Sequence, residues 1–186
     1  MTESRMPLLV VVTGPPGAGK TTIARGIAER LQLSLIAKDT IKEALFDGLG
    51  VGDVEWSQRV GTATYLAMLG LLEDSVAAGA SVVAEANFVC GSELETRLAA
   101  LPAGFVQIHC TAPLELLLER YGTRERHPGH VDSERFDAVR EAVETGRHDP
   151  LDLPGETIRL DTSAEVNLDA VVRRIRRAEL FDSGYA

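Results

Sequence analysis

Eight consecutive residues near the start of the chain, Gly14, Pro15, Pro16, Gly17, Ala18, Gly19, Lys20 and Thr21, have the spacing G-x-x-x-x-G-K-[ST]. Glycines at these points let the backbone curl until successive N–H groups point inward, and the helix that follows adds the positive end of its dipole. A lysine after the last glycine can place a point charge on β and γ phosphate oxygens, and the hydroxyl after it can reach a magnesium ion. The chemistry implied is the binding of a nucleoside triphosphate, ATP or GTP, with Mg2+. Thr22, next in the chain, extends the same set toward the nucleotide.

Four further segments could act on such a ligand. Asp39, in Ala37-Lys38-Asp39-Thr40-Ile41-Lys42-Glu43, lies two residues beyond a short apolar run. In open parallel sheets ligands bind beyond the carboxyl ends of the strands, so Asp39 is expected to face the same crevice as the glycine-rich loop. Thr40 and Glu43 have capping-box spacing, which would leave Asp39 one position outside the next helix. A carboxylate there could accept the proton of a substrate hydroxyl as the γ-phosphoryl arrives. Glu85 closes the run Val82-Val83-Ala84, the form of a magnesium-orienting acid, with Glu in place of the usual Asp. Glu85 is therefore a candidate for a metal-bound water, and Glu85 with Asn87 equally for the acceptor. Arg120, Arg124 and Arg126 lie within seven residues. Gly122 and Pro128-Gly129 bound them, which suits a small lid over residues 120–148 whose guanidinium groups spread over a transferring phosphoryl group. Arg120 and Arg124 are one helical turn apart and are the leading catalytic candidates with Lys20 and Asp39. Arg126 is a candidate contact to the acceptor. Asp161 and Thr162 sit where backbone could meet a nucleobase, although capping of the next helix by Thr162 or Ser163 suits the same residues.

The elements needed to position these residues are legible in the apolar pattern. Strands are expected at 8–13, 33–37, 81–85, 105–110 and 157–161, alternating with helical periodicity, the mark of a parallel α/β sheet. Residues 8–12 form an unbroken, mostly β-branched run, as for a strand covered on both faces. Ile23, Ile27 and Leu31 recur on one helical face. A long helix is expected at 56–78, with Tyr65, Leu69, Leu72 and Val76 inward, Trp56 packing at its start and Gly79 as the stop. A last helix, 164–180, buries Leu168, Val171, Val172 and Ile175 and exposes Arg173, Arg174, Arg176 and Arg177 as a solvated face.

At 186 residues the chain is expected to be one domain, 1–186. Cys90 and Cys110 have no metal-ligand or disulfide spacing and read as buried reduced thiols, which suits a cytoplasmic protein. No apolar stretch is long enough for a membrane span. The net charge of −9 argues against a nucleic-acid backbone as main partner. His127 and His130 lack a third ligand, so no metal role is expected for them.

Together, residues 14–21, the Lys38-Asp39-x-x-Lys42 segment, Val83-x-Glu85-x-Asn87-Phe88, residues 120–130 and Asp161-Thr162 resemble the P-loop small-molecule kinases. Chloramphenicol phosphotransferase, zeta toxins, gluconate kinase and the kinase domain of polynucleotide kinase belong to that group, whose ATP-binding domain is of the AAA type. The resemblance implies a P-loop NTPase fold, a three-layer α/β/α sandwich with a five-stranded parallel sheet and an Arg-rich lid. It also implies transfer of the γ-phosphate of ATP, with Mg2+, to a hydroxyl of a small molecule: an antibiotic, sugar or nucleoside. By that similarity Asp39 is the base, Glu85 and Asn87 face the acceptor or the magnesium water, and the arginine segment is the lid. A nucleotide-sugar kinase of the zeta-toxin type and a polynucleotide 5′-kinase are alternatives within the class. A nucleotide-dependent switch without an acceptor is the alternative outside it, against which stands the absence of an Asn-Lys-x-Asp guanine motif.

Overall fold

A computed structural model describes residues 6–130 and 136–182. Five parallel strands, β1 (Leu8–Thr13), β2 (Ser34–Ala37), β3 (Val82–Glu85), β4 (Gly104–Thr111) and β5 (Glu156–Asp161), form one sheet in the order β2-β3-β1-β4-β5. β1 is central and every residue of it is buried, because its unbroken apolar run serves both faces at once. Alternate residues divide the core. Leu8, Val10 and Val12 pack with Ile23 and Ile27 of helix α1 (Lys20–Leu31) and Ile175 of α7 (Leu168–Asp182). Leu9 and Val11 pack with Met68 and Leu72 of α3 (Val54–Ala77) and Leu98 of α4 (Glu93–Ala99). The result is a helix–sheet–helix sandwich, with α2 (Lys38–Leu49), α5 (Leu114–Thr123) and α6 (Phe136–Glu144) at the carboxyl end of the sheet. No helix among the described residues is long and apolar enough to cross a membrane.

The helix termini show where local chemistry differs from the simplest reading of the sequence. α3 starts at an Asp53 cap, whose carboxylate accepts the Trp56 N–H at 2.9 Å, and stops at Gly79 (φ 74°), where the Gly79 and Ala80 N–H groups close back on Val76 and Ser75. Trp56 is not part of the core: it is half-buried, and its indole N–H donates to the Gly50 carbonyl at 3.0 Å, stapling the loop before α3. α2 begins at Lys38, directly after β2, with no side-chain cap. The Thr40–Glu43 capping box is therefore not used, and Asp39 lies inside the first turn of α2, where a carboxylate is favoured by the helix dipole. The last helix starts at Leu168, later than its periodicity suggests, because the Asn167 side chain accepts the Ala170 N–H at 3.0 Å and captures the cap from Thr162 and Ser163. Cys110 is buried and its thiol is pushed up to about 12 by that burial; Cys90 is half-buried, and both are free thiols.

Candidate active site

The glycine-rich turn joins the end of β1 to α1, and its shape depends on missing Cβ atoms. At Gly14 (φ 134°) a Cβ would lie 2.1 Å from the Cys110 carbonyl oxygen, and at Gly17 (φ 83°) 2.3 Å from that of Leu117. The turn is thus wedged between β4 and α5. Lys20 is 9% exposed, and its ammonium closes the turn by donating to the Pro15 carbonyl at 2.8 Å. Burial lowers the Lys20 pKa, with the charge of Glu85 opposing. The N–H groups of the first turn of α1 have no acceptor within the helix, so Gly19, Lys20, Thr21 and Thr22 carry donors suited to a polyanion.

The Thr21 hydroxyl donates to Glu85 Oε2 at 3.3 Å. Glu85 ends β3, which pairs with β1, and is only 3% exposed. Burial raises the pKa of its carboxyl, and the nearby Asp39 charge acts in the same direction against Lys20. A hydroxyl and a carboxylate side by side are hard oxygen donors of the kind Mg2+ takes alongside phosphate oxygens and water, so Thr21 and Glu85 fit that ion. Thr13 and His109, opposite one another on β1 and β4, each bury a side-chain polar atom, Oγ1 and Nδ1, that has no hydrogen-bond partner among the described residues.

Across from Glu85 lies Asp39. Its Oδ1 accepts from the Lys38 ammonium at 3.3 Å and its Oδ2 from the Arg126 guanidinium. Burial works to raise this carboxyl, but the charges of Lys38, Arg126 and Lys20 overcome it and hold the pKa well below the usual carboxylate range. Lys38 also bridges to Asn87 Oδ1 at 3.4 Å and lies 5.3 Å above the Tyr65 ring, whose hydroxyl sits 2.9 Å from the Asn87 carbonyl and 3.1 Å from its side-chain oxygen. An open cleft of about 450 Å3 lies between Asp39, Glu85 and the arginine segment and is bridged at one point by Arg126; Thr21, Asp39, Glu43, Glu85, Arg124 and Arg126 line it.

Not every candidate faces that cleft. Arg120, on α5, donates to the Thr162 carbonyl at 2.9 Å and to its hydroxyl at 3.3 Å, while the Thr162 hydroxyl also lies 3.2 Å from the Ala18 carbonyl and 3.0 Å from that of Thr111. Thr162 is a buried junction between the glycine-rich turn, β4, β5 and α5, and Asp161 beside it is exposed and bonded to the Ser163 N–H at 2.8 Å. Thr162, Asp161 and Arg120 therefore gather on the opposite side of the turn from Asp39. Arg124 lies 4.5 Å over the Tyr121 ring at the mouth of the cleft. Both ends of the 120–148 segment are bonded to the body of the fold, through Arg120 at one end and, at the other, through the His148 ring, 2.9 Å from the Phe88 carbonyl; residues 131–135 lie outside the described residues. Lys38, Tyr65, Glu43 and Arg25 join the site although the sequence marks none of them as a site residue. Glu43 was detectable as the residue one helical turn after Asp39, whereas Tyr65 reads as an ordinary core position.

A family described as an AAA domain matches residues 9–145. The chain belongs to this family, as a P-loop kinase. Over 163 residues it is 30% identical to a cytidylate kinase of Pyrobaculum neutrophilum, covering 87% of this chain and 83% of that one. A solved protein of Chloroflexus aurantiacus is 35% identical, with a TM-score of 0.85 over 93% of this kinase and 98% of the other chain. A shikimate kinase of Acinetobacter baumannii, solved with shikimate, has a TM-score of 0.53 at 17% identity over 96% of each chain, a likeness of fold alone. This P-loop kinase is thus of the small-molecule type.

Proposed function

We propose that this kinase moves the γ-phosphoryl group of ATP to a hydroxyl of a small molecule lying in the cleft between Asp39 and the arginine segment. The reading rests on one observation above all: an ionised carboxylate, Asp39, faces the cleft shared with Thr21 and Glu85, beside the turn that would hold the triphosphate. The backbone N–H groups from Gly17 to Thr22 and the Lys20 ammonium bind the β and γ phosphates, and Thr21 and Glu85 hold Mg2+. Bound magnesium supplies neutralisation of charge on the transferring group. Asp39 orients the acceptor hydroxyl and takes its proton, Asn87 and Tyr65 hold Lys38 beside Asp39 at the edge of the acceptor site, and Arg124 and Arg126 face the reacting phosphate. Arg120, with Thr162 and Asp161, supports the nucleotide end of the turn.

The high coverage by a cytidylate kinase raises a second acceptor chemistry, a phosphate oxygen. An acceptor phosphate is already ionised and needs no base, whereas a hydroxyl does. The lining sets four carboxylates, Asp39, Glu43, Glu85 and Glu125, against three guanidinium groups, Arg25, Arg124 and Arg126, and the seat of Asp39 among them favours a hydroxyl. Phosphorus NMR with ATP, Mg2+ and CMP, gluconate, shikimate or a nucleoside separates the two. A phosphomonoester signal is the expected result; a phosphoanhydride formed from CMP would assign the cleft to a nucleotide, and inorganic phosphate alone would remove the acceptor reading.

A further inference from the structure

Four charged or titratable groups close a ring between α2 and the 124–130 strap. The Arg126 guanidinium donates to Asp39, and the same Nη2 lies 3.0 Å from His130 Nε2. That ring nitrogen is also 3.0 Å from Glu43 Oε1. Asp39 and Glu43 stand one turn apart on α2, and Arg126 and His130 are likewise four residues apart across a 3-10 turn (Pro128–His130). The strap is pressed onto α2 at this point: His127 stacks on Phe46 with ring centroids 5.5 Å apart, His130 meets the same ring edge-on at 6.0 Å, and a Cβ on Gly129 would stand 2.4 Å from it. His130 is 4% exposed, so it cannot swing into solvent to choose another partner.

One nitrogen cannot serve both neighbours. A guanidinium only donates and a carboxylate only accepts, so Nε2 must be bare to bond Arg126 and protonated to bond Glu43. The Nη2 group has two hydrogens, enough to bond Asp39 and a bare Nε2 together. Glu43 is 39% exposed and can turn to water instead. Among the described residues the charged groups around the ring are Arg126, Asp39, Glu43, Lys42 and, against Asp39, Lys38, and burial followed by Arg126 keeps His130 neutral. We infer that His130 is a positioning residue, holding Arg126 against Asp39 with a bare Nε2 while Glu43 competes for the same nitrogen. The inference rests on the proposed role of Asp39 and adds to it the group that fixes the cation beside the base.

The test uses the full chain labelled with 15N-histidine, with the His130 signals assigned by their loss in His130→Gln. The expected spectrum shows His130 neutral with Nε2 unprotonated, and in Arg126→Met the proton moves to Nε2, toward Glu43. A protonated Nε2 in the unmodified protein, or a tautomer indifferent to Arg126→Met, overturns the inference. Transfer from ATP to CMP, gluconate or shikimate supplies the second arm. His130→Leu should lower kcat about tenfold with KM for ATP within about twofold, His130→Gln should restore the rate, and His130→Leu should add nothing in the Arg126→Met background. An unchanged kcat, or additive losses, also overturns it; where His130→Leu fails to fold, the Gln and Met variants decide. Transfer to none of the acceptors tells against the proposed function instead, and the spectra still judge the relay.

Discussion

The two sides of the cleft are built on different principles. On the phosphate side the shape is held by backbone: Gly14 and Gly17 are wedged under carbonyls of β4 and α5, Lys20 closes the turn on Pro15, and Thr162 ties Ala18 to Thr111. On the side proposed for the acceptor the shape is held by side-chain contacts, Asp39 between Lys38 and Arg126, and His127 beside Asp47. Backbone wedging tolerates almost no substitution, whereas ion pairs near a surface are individually weak and can exchange partners. Under the proposed function, this division would keep one donor geometry and leave acceptor choice to a few exchangeable side chains.

Substitutions can break the comparison from either side, and the largest effect is expected at the turn. Gly14→Ala would combine a positive φ with a Cβ 2.1 Å from a backbone oxygen, and should lower stability by at least about 2 kcal/mol and abolish nucleotide binding, read by urea denaturation and by titration calorimetry. An unaltered midpoint would show that the turn is not wedged. On the other side, Asp39→Asn should retain ATP binding while kcat falls by roughly 10²- to 10⁴-fold.

Sequence and structure diverge along the same line. The apolar run before Gly14 and the fixed glycine spacing expose the donor side because backbone shape is written locally, in consecutive residues. Asp39 could be placed at a strand end by the same logic, yet its seat inside the first turn of α2 could not, since β2 runs into the helix without a turn residue. The acceptor side depends on residues far apart in the chain: Arg126 meets Asp39, and Tyr65 meets Asn87, only through the fold. Thr162 reads as a helix cap because caps and buried junctions use the same hydroxyl; its three partners, Ala18, Thr111 and Arg120, become visible only when β5 is laid beside β4.

Proton linkage provides smaller tests. Cations hold Asp39 ionised below the usual range, whereas burial raises the Glu85 carboxyl, so the acid limb of the kcat profile should belong to Glu85 rather than to Asp39. Arg126→Met should raise the Asp39 pKa, read by NMR titration of its carboxyl carbon; an unmoved titration would mean that Arg126 is not the cation that matters. His148 is kept neutral by burial, its pKa lowered to about 4, so the unfolded chain takes up that proton first. Its contribution is complete above about pH 6.5 and declines as pH falls toward the folded value, and thermal melts from pH 7 to 4 should show a loss of at most about 3 kcal/mol that His148→Gln removes. The smallest effect is expected at the exposed Arg30–Asp169 pair, 2.8 Å apart, where Asp169→Asn should change stability by less than about 1 kcal/mol.

The most direct test of phosphoryl transfer assisted by Asp39 is a single-turnover comparison of the unmodified kinase and Asp39→Asn, both saturated with ATP and Mg2+ and given the acceptor that phosphorus NMR identifies. The expected result is a phosphomonoester formed rapidly by the first and at least about 100-fold more slowly by the second, with equal ATP occupancy. Equal rates from the two proteins would contradict it.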